Sequence, residues 1–290
     1  MNKNSQHIDK YTFINRLLIV VVSVGGVLLM GMTVLRYNKK APSDHLGKSK
    51  TIKLDKKLTE ISGLSFSDAQ GLLAINDEKG KIYSLDSSNG NILDEFSFSD
   101  PNDFEGIAAV GKHIYVVDSS GDLHRYNTES GKTKKIKTDL KHKNDIEGLC
   151  YNSSDSTLLI AAKGQSLPDK NKKSFSSIFK YDIKKGKLDK EVFLKIKMEE
   201  VEKALGKKIK DGFGTSGITI HNGQFIIVSH HSKAMLVYDQ NMVLKSAYNL
   251  SSKIYNQPEG ITFINDVLVI SNEKGSAKKS TLVYHKNFSL

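Results

Sequence analysis

The sequence predicts an all-β fold: a five-bladed β-propeller that is closed by an N-terminal strand and preceded by one transmembrane helix. Five times along the 290 residues, a glycine follows a short polar run and opens a strand that begins with an apolar residue. The glycines lie 43, 42, 69 and 43 residues apart, and a period near 40 built from short strands is typical of propeller blades. The five motifs are Ile61-Ser62-Gly63-Leu64, Phe104-Glu105-Gly106-Ile107, Ile146-Glu147-Gly148-Leu149, Thr215-Ser216-Gly217-Ile218 and Pro258-Glu259-Gly260-Ile261.

Alternating apolar strands separated by turn residues follow each repeat glycine. They predict blades over residues 63–98, 106–137, 148–195, 217–249 and 260–286. The last blade lacks an outer strand, whereas residues 51–55 have a strand pattern and no partner of their own. We therefore expect residues 51–55 to complete blade five, which leaves no open sheet edge inside the ring. The propeller domain is expected to span residues 51–290.

The interval of 69 residues contains two predicted insertions. Residues 163–174 are rich in lysine and lengthen a hairpin of blade three. Residues 197–211 carry Met198, Val201, Leu205 and Ile209 at helical spacing, which predicts an amphipathic helix before blade four. Its apolar face is expected to pack on the propeller.

Residues 17–35 are 19 consecutive uncharged residues, LLIVVVSVGGVLLMGMTVL, bracketed by Arg16 and Arg36. A helix of this length nearly crosses the hydrocarbon core of a bilayer. A cleaved signal peptide would have a shorter apolar region and a small-residue cleavage site, and neither is found here. The sequence predicts a short tail at 1–16, an anchor at 17–36 and a tether at 37–50. We expect a single-pass protein of the cell membrane with the propeller outside the cytoplasm.

The net charge of +11 does not indicate a nucleic-acid partner, because more than half of it lies beside the predicted anchor. Residues 1–50 hold eight Lys or Arg against two Asp, a charge of +6, which leaves +5 for the other 240 residues. Cations in such a position meet anionic lipid headgroups. The single cysteine, Cys150, lies in an apolar strand and predicts neither a disulfide nor a zinc site.

The repeat places equivalent positions of all blades around one axis, so residues distant in sequence are expected to converge. In each blade the first strand begins on the face where the second strand ends. The residues preceding the glycines are Ser62, Glu105, Glu147, Ser216 and Glu259, with Asp103 and Asp145 two positions earlier in two blades. The second strands end at Asn76-Asp77, Asp118, Lys163, His230-His231 and Asn272-Glu273.

Carboxylates that converge repel one another unless a positive charge lies among them. A hard cation bound by oxygen ligands resolves this repulsion, and Ca²⁺ accepts six to eight such ligands. The sequence therefore predicts a calcium site on Glu105, Glu147 and Glu259, with Asp77, Asp118, Lys163, His230 and Asn272 as candidate ligand-binding residues. The alternative is that each glutamate bonds the backbone of the adjacent blade and only stabilises the ring.

The repeats resemble those of the SdiA-regulated proteins, membrane-anchored bacterial β-propellers distantly related to phytase-like and NHL-type propellers. The resemblance covers about residues 51–290, and Gln257-Pro258-Glu259-Gly260-Ile261 followed by Leu268-Val269-Ile270-Ser271-Asn272-Glu273 is its most specific stretch. It implies an extracytoplasmic domain and a calcium-type site on Glu105, Glu147 and Glu259. Lys163 and His230 depart from the acidic or amide residues expected at those positions.

These observations predict a binding or interaction module for a small molecule or a protein at the channel face. A second hypothesis is a cation-dependent hydrolase of a phosphoester or lactone, with His230 or His231 as general base and Lys163 on a substrate anion. A third is a structural or protein-interaction scaffold, in which the glutamates serve only the fold.

Overall fold

The computed structural model describes residues 46–163, 175–210 and 212–288. Over these residues the chain forms five antiparallel sheets arranged as the blades of a five-bladed β-propeller, as predicted. The first strand among these residues, β1 (Lys50–Lys53), belongs to the last blade. The strands of blades one and two are β2 (Ile61–Ser67), β3 (Gly71–Asn76), β4 (Lys79–Leu85), β5 (Ile92–Ser97), β6 (Phe104–Val110), β7 (His113–Asp118), β8 (Leu123–Asn127) and β9 (Thr133–Ile136).

The remaining blades follow the same order, from the channel outward. In its described residues, blade three holds five strands, because its outer edge is divided between two short ones. The strands of blades three to five are β10 (Ile146–Asn152), β11 (Thr157–Ala162), β12 (Phe175–Asp182), β13 (Lys187–Leu188), β14 (Leu194–Lys197), β15 (Gly217–His221), β16 (Gln224–Ser229), β17 (Ala234–Tyr238), β18 (Leu244–Asn249), β19 (Pro258–Ile264), β20 (Val267–Asn272) and β21 (Thr281–His285).

Strand β1 closes the ring as the sequence predicts. It pairs antiparallel with β21, from Lys50 opposite Tyr284 to Lys53 opposite Thr281. The sheet of blade five therefore runs in the order β1, β21, β20, β19. Residues from the two ends of the domain thus share one blade.

The apolar core lies between the blades. Each of five clusters of buried side chains in the described part of the chain joins two neighbouring blades. The cluster between blades five and one includes Leu64 and Tyr83 on one side and Val269 and Tyr284 on the other. Because this last cluster matches the other four in kind, burial of apolar surface continues around the whole ring.

The repeat glycines are required because the first strands meet at the axis. A Cβ atom at Gly217 would lie 2.2 Å from the carbonyl oxygen of Glu259 in the next blade. At Gly260 it would lie 2.7 Å from the backbone nitrogen of Leu64, across the closure. Backbone atoms cannot yield as a flexible side chain can, so only glycine fits these two positions.

One α-helix, α1 (Met198–Leu205), lies in the described part of the chain and follows β14. It buries Met198, Val201 and Leu205 in the cluster between blades three and four, as its predicted apolar face requires. The helix is shorter than the predicted 197–211, because Gly206 adopts the left-handed conformation (φ 66°) and ends it.

No helix within the described residues is both long and apolar enough to cross a bilayer. The predicted tail, the anchor at 17–36 and residues 37–45 of the predicted tether lie outside those residues.

Candidate functional site

An irregularity in the first strand presents the glutamates at the channel. In four blades the register between the first and second strands shifts just after the first residue of the motif. The shifts occur at Ile61/Gly63, Phe104/Gly106, Ile146/Gly148 and Pro258/Ile261. The residues left out of the pairing include Ser62, Glu105, Glu147 and Glu259. A β-bulge of this kind redirects a side chain, and here it does so at the same position in these four blades.

The structure brings the three glutamates together. Glu105 lines a small open cavity at the axis together with Ser62 and Ser216, and all five repeat glycines line it as well. Burial and the nearby charges of Glu147, Asp103 and Glu259 raise the pKa of Glu105 to about 10. Side chains more than 100 residues apart in sequence therefore share one electrostatic environment.

Two basic side chains balance part of this charge. Lys163 Nζ lies 2.7 Å from Glu147 Oε1, and His230 Nδ1 lies 3.0 Å from Glu259 Oε1. Both carboxylates are 11% exposed, whereas Lys163 and His230 are 42% and 37% exposed at the mouth. Burial raises the pKa of Glu147 to about 7 despite the opposing effect of Lys163. Lys163 and His230, the two residues that depart from the family pattern, therefore each contact a predicted metal ligand.

The backbone shows which strand-end residues are equivalent. The N–H groups of Asp77, Ser119, Lys163 and Glu273 donate to the carbonyls of Glu60, Asp103, Asp145 and Gln257 at 2.8 to 3.0 Å. In blades two and five the counterparts of Lys163 are therefore Ser119 and Glu273. Asp118 and Asn272, which the sequence analysis selected, come one residue earlier.

Because successive residues of a strand point to opposite faces of the sheet, the side chains of Asp118 and Asn272 lie on the face opposite to those of Ser119 and Glu273. Asp118 is buried and accepts hydrogen bonds from the Ser120 hydroxyl at 2.5 Å and the Asp122 N–H at 3.0 Å, and it contacts His124 at 3.2 Å. These contacts, opposed by burial, lower its pKa to about 2. Asn272 Nδ2 donates to Thr281 Oγ1 on the third strand of its own blade at 3.2 Å. Both contact sets stabilise a blade, and ligand binding by either residue stays a prediction.

A second carboxylate group lies where blades five and one meet. One carboxylate oxygen from each of Glu60, Asp77 and Glu273 lies within 4.8 Å of the other two, the single such set of three potential metal ligands within residues 46–163, 175–210 and 212–288. Burial raises the pKa of Asp77 to about 6. Burial, a hydrogen bond with Glu60 and the charge of Glu259 raise the pKa of Glu273 to about 8. We call this set the rim cluster.

The rim cluster differs from the inner glutamates in its partners. In the part of the chain that the structure describes, none of its three carboxylates forms an ion pair. The Gln257 amide donates to Glu273 Oε2 at 2.5 Å. Sequence reasoning placed Asp77 here but missed Glu60. Its position two residues before Ser62 matches Asp103 before Glu105 and Asp145 before Glu147, and that match is the signal that could have found it.

Fold and site together define a five-bladed propeller with an acidic channel mouth. The family model described as SdiA-regulated matches residues 47–274, and the chain belongs to that family. No protein with curated annotation matches the sequence.

Among solved structures, a glutaminyl cyclase from Myxococcus xanthus is similar, with a TM-score of 0.57, 13% identity and coverage of 81% of this chain and 93% of that one. A streptogramin B lyase has a TM-score of 0.47 and 13% identity, with 81% and 97% covered. At such identity the likeness to the cyclase concerns the fold alone.

Proposed function

We propose that this protein is a membrane-tethered binding module outside the cytoplasm, and that its channel mouth binds Ca²⁺ through the rim cluster. The observation that carries the proposal is the approach of Glu60, Asp77 and Glu273 to within 4.8 Å without an ion-paired cation among the described residues. Carboxylates held so close repel one another, and a divalent cation removes that repulsion.

The donor set fits a hard cation. All three groups offer carboxylate oxygen, and oxygen ligands suit Ca²⁺ or Mg²⁺ better than zinc or copper. Calcium–oxygen distances are about 2.3–2.6 Å, so two oxygens on one ion lie at most about 5 Å apart. The three oxygens of the rim cluster lie within 4.8 Å of one another, which is inside that limit. Backbone carbonyls and water would supply the other ligands, and a site of this kind is expected to bind Ca²⁺ weakly, as extracellular modules do at about 10⁻⁴–10⁻³ M.

The glutamates predicted from the sequence as ligands, Glu105, Glu147 and Glu259, are not the ligands of the ion in this proposal. Glu147 and Glu259 already have a cationic partner or a histidine. Glu259 nevertheless acts electrostatically on Glu273. Glu259 therefore adds negative potential beside the rim cluster, which favours a cation there.

We expect millimolar CaCl₂ to raise the melting temperature of the protein and EDTA to reverse the rise, because an ion that binds only the folded state stabilises it. The rise should grow with pH through about 6 and about 8, as Asp77 and Glu273 lose the protons that compete with the ion. Differential scanning calorimetry with CaCl₂ and MgCl₂ at pH 5.5, 7 and 8.5 measures both effects.

The triple variant Glu60→Gln, Asp77→Asn, Glu273→Gln keeps the size of each side chain and should lose the calcium response. Glu129→Gln is the matched control, because Glu129 is a largely exposed acid paired with Lys112 on the outer part of blade two. A calcium response that survives in the triple variant would place the ion elsewhere. No response in the wild type at any of these pH values would refute calcium binding.

The membrane anchor, with the propeller outside the cytoplasm, is a separate prediction. The uncharged run at 17–35 with Arg16 and Arg36 at its ends supports it. We expect the full chain to remain with bacterial membranes after a carbonate wash, and protease added outside the cytoplasmic membrane to digest the propeller. A cytoplasmic marker protein should survive the same treatment. Recovery of the propeller in the soluble fraction, or its protection from protease, would contradict this placement.

A further inference from the structure

We infer that the outer part of the seam between blades two and three binds phosphate groups, with Arg125 and Lys134 as the cationic ligands. These two residues lie on the third and fourth strands of blade two, at the outer edge of the ring and away from the channel mouth. The site is therefore independent of the proposed calcium site and of the membrane anchor.

The first observation is the identity of residue 125. Residues 51–290 contain 34 lysines and one arginine, and that arginine is Arg125. A guanidinium differs from an ammonium in its planar fork of N–H donors, which can bind two oxygens of a phosphate or a carboxylate at once. The use of arginine at this one position indicates recognition of an oxyanion.

The second observation is the register of blade two, which places Arg125 and Lys134 side by side. Tyr115 on β7 lies opposite Arg125 on β8, and Arg125 lies opposite Lys134 on β9. Directly opposed residues share one face of the sheet, with Cβ atoms about 4.5–5.5 Å apart. That face is turned toward blade three, because Tyr115 and Leu123 pack in the apolar cluster between the two blades. The two cations therefore form a row along the seam.

The third observation is that Arg125 has no counterion. It is half-buried, yet it forms neither an ion pair nor a hydrogen bond with any residue that the structure describes. Two acids of this part of the molecule are already neutralised, since Glu129 pairs with Lys112 at 2.9 Å. Asp182 likewise pairs with Lys185 at 2.8 Å. A cation held partly out of water without a partner costs free energy, and a bound anion removes that cost.

Blade three supplies a hydroxyl group to the same seam. Tyr115 and Tyr181 are both buried in the cluster between the two blades. The Tyr181 hydroxyl lies 3.9 Å from where a Cβ atom on the exposed Gly186 would be, so it reaches the outer turn. Burial and the neighbouring Tyr115 raise the pKa of Tyr181, and the charge of Arg125 opposes this rise. Tyr181 therefore keeps its phenolic proton near the guanidinium and can donate it in a hydrogen bond to an anion.

The edge of blade two beside the row is strongly basic. Residues 131–143 hold six lysines and one aspartate, a charge of +5 with His142 neutral. The six lysines are exposed: Lys132, Lys134, Lys135, Lys137, Lys141 and Lys143. Lys135 pairs with Asp122 at 3.2 Å, and the other five form no ion pair in the described part of the chain. A surface of one sign raises the local concentration of an ion of the opposite sign.

A phosphate group balances the charge of this site. Arg125 and Lys134 supply two positive charges, and a phosphate monoester carries about −1.5 to −2 at pH 7. The guanidinium binds two of its oxygens, and the ammonium adds a second point charge. A carboxylate has one negative charge and would leave one of the two cations unbalanced. Because Lys134 is exposed on the edge strand, the phosphate can be the free ion or a group on a larger molecule.

The test is isothermal titration calorimetry of the full chain in detergent with inorganic phosphate, glycerol 2-phosphate and acetate, at one ionic strength and without CaCl₂. We expect both phosphates to bind and acetate not to bind. Arg125→Gln should weaken phosphate binding at least about tenfold, as loss of a charge-assisted hydrogen bond does. Arg125→Lys keeps the charge without the fork and should lie between. Tighter binding of glycerol 2-phosphate than of inorganic phosphate would assign the site to a group on a larger molecule, and the reverse order to the free ion.

Lys134→Gln should also weaken phosphate binding, and Lys245→Gln is its matched control, because Lys245 is an exposed lysine on the outer strand of blade four. Without phosphate, Arg125→Gln should melt no lower than the wild type, since it removes an uncompensated charge. No phosphate binding by folded wild type, equal binding in Arg125→Gln, equal binding of acetate, or equal losses in Lys134→Gln and Lys245→Gln would each overturn the inference.

The calcium proposal is tested separately. The triple variant of the rim cluster should bind phosphate as the wild type does, and Arg125→Gln should keep the calcium response. Either site can therefore fail without the other. Loss of phosphate binding in the triple variant would place the phosphate at the channel mouth and overturn the inference.

Discussion

Replacing Gly217 by alanine should destabilise the propeller by about 3 kcal/mol or more, at the upper end of what overpacking a core costs. The added Cβ would lie 2.2 Å from the Glu259 carbonyl oxygen and 3.2 Å from Val228 Cγ1. The first strand of blade five would have to move away from that of blade four. Because Glu259 lies at this contact, its pairing with His230 should weaken as well. Equilibrium unfolding in urea gives the loss of stability.

Gly148→Ala provides the comparison. Gly148 occupies the equivalent position of blade three, and neither glycine has a positive φ. A Cβ at Gly148 would meet Gly217 Cα at 3.2 Å and Ala161 Cβ at 3.3 Å, contacts that a small shift relieves. The loss of stability in Gly148→Ala should therefore be clearly smaller than in Gly217→Ala. Equal losses in the two variants would show that contact distance at the axis does not decide the need for glycine.

Raising the pH from 5 to 9 without calcium should lower the free energy of unfolding steeply. The pKa of Glu105 is raised to about 10 and that of Glu273 to about 8, against 4.5 for an ordinary glutamate. Between 4.5 and these values the folded protein holds protons that the unfolded chain has lost. For each such proton, the free energy of unfolding falls by about 1.4 kcal/mol for every unit by which the pH rises in this range. Stability is thus present at low pH and is lost as the pH rises through the folded pKa values.

Glu105→Gln separates this effect from general alkaline denaturation. The variant keeps the side-chain volume and cannot ionise, so its stability should depend less on pH and should exceed that of wild type at pH 9. Glu129→Gln, whose parent residue is exposed, should follow the wild type. An unchanged slope in Glu105→Gln would mean that this carboxyl does not hold a proton in the folded state. Millimolar CaCl₂ should reduce the wild-type slope as well, by neutralising the rim cluster.

The sequence was sufficient for the ring because its strongest signal has a steric cause. Glycine recurs where first strands approach too closely for a Cβ, as at Gly217 and Gly260, so its spacing measures the blades directly. The unpaired pattern at residues 51–55 likewise required a partner and found it in β21. Helix length and the division of the outer edge of blade three depended on a left-handed Gly206 and on tertiary pairing, which a periodic pattern does not record.

Site residues could be predicted from the sequence where they follow the repeat. They could not be predicted where they depend on which face of a strand the side chain occupies. Glu105, Glu147 and Glu259 share one position of the motif, so their convergence follows from rotation about the axis. Asp118 and Asn272 lie one residue before the positions equivalent to Lys163, and alternation along a strand points such neighbours to opposite faces. The pairing of His230 with Glu259 joins blades four and five, and only the folded backbone brings those atoms within 3.0 Å.

The pairing of β1 with β21 has a consequence for how the protein is made. Residues 50–53 leave the ribosome early, but their partner at 281–285 follows only when translation is almost complete. Until then β1 exposes an unpaired edge, and contacts of such long sequence separation form slowly. The nascent chain therefore has to avoid intermolecular strand pairing for nearly the entire time of its synthesis. Binding of a chaperone to the chain until β1 pairs with β21 is for this reason advantageous.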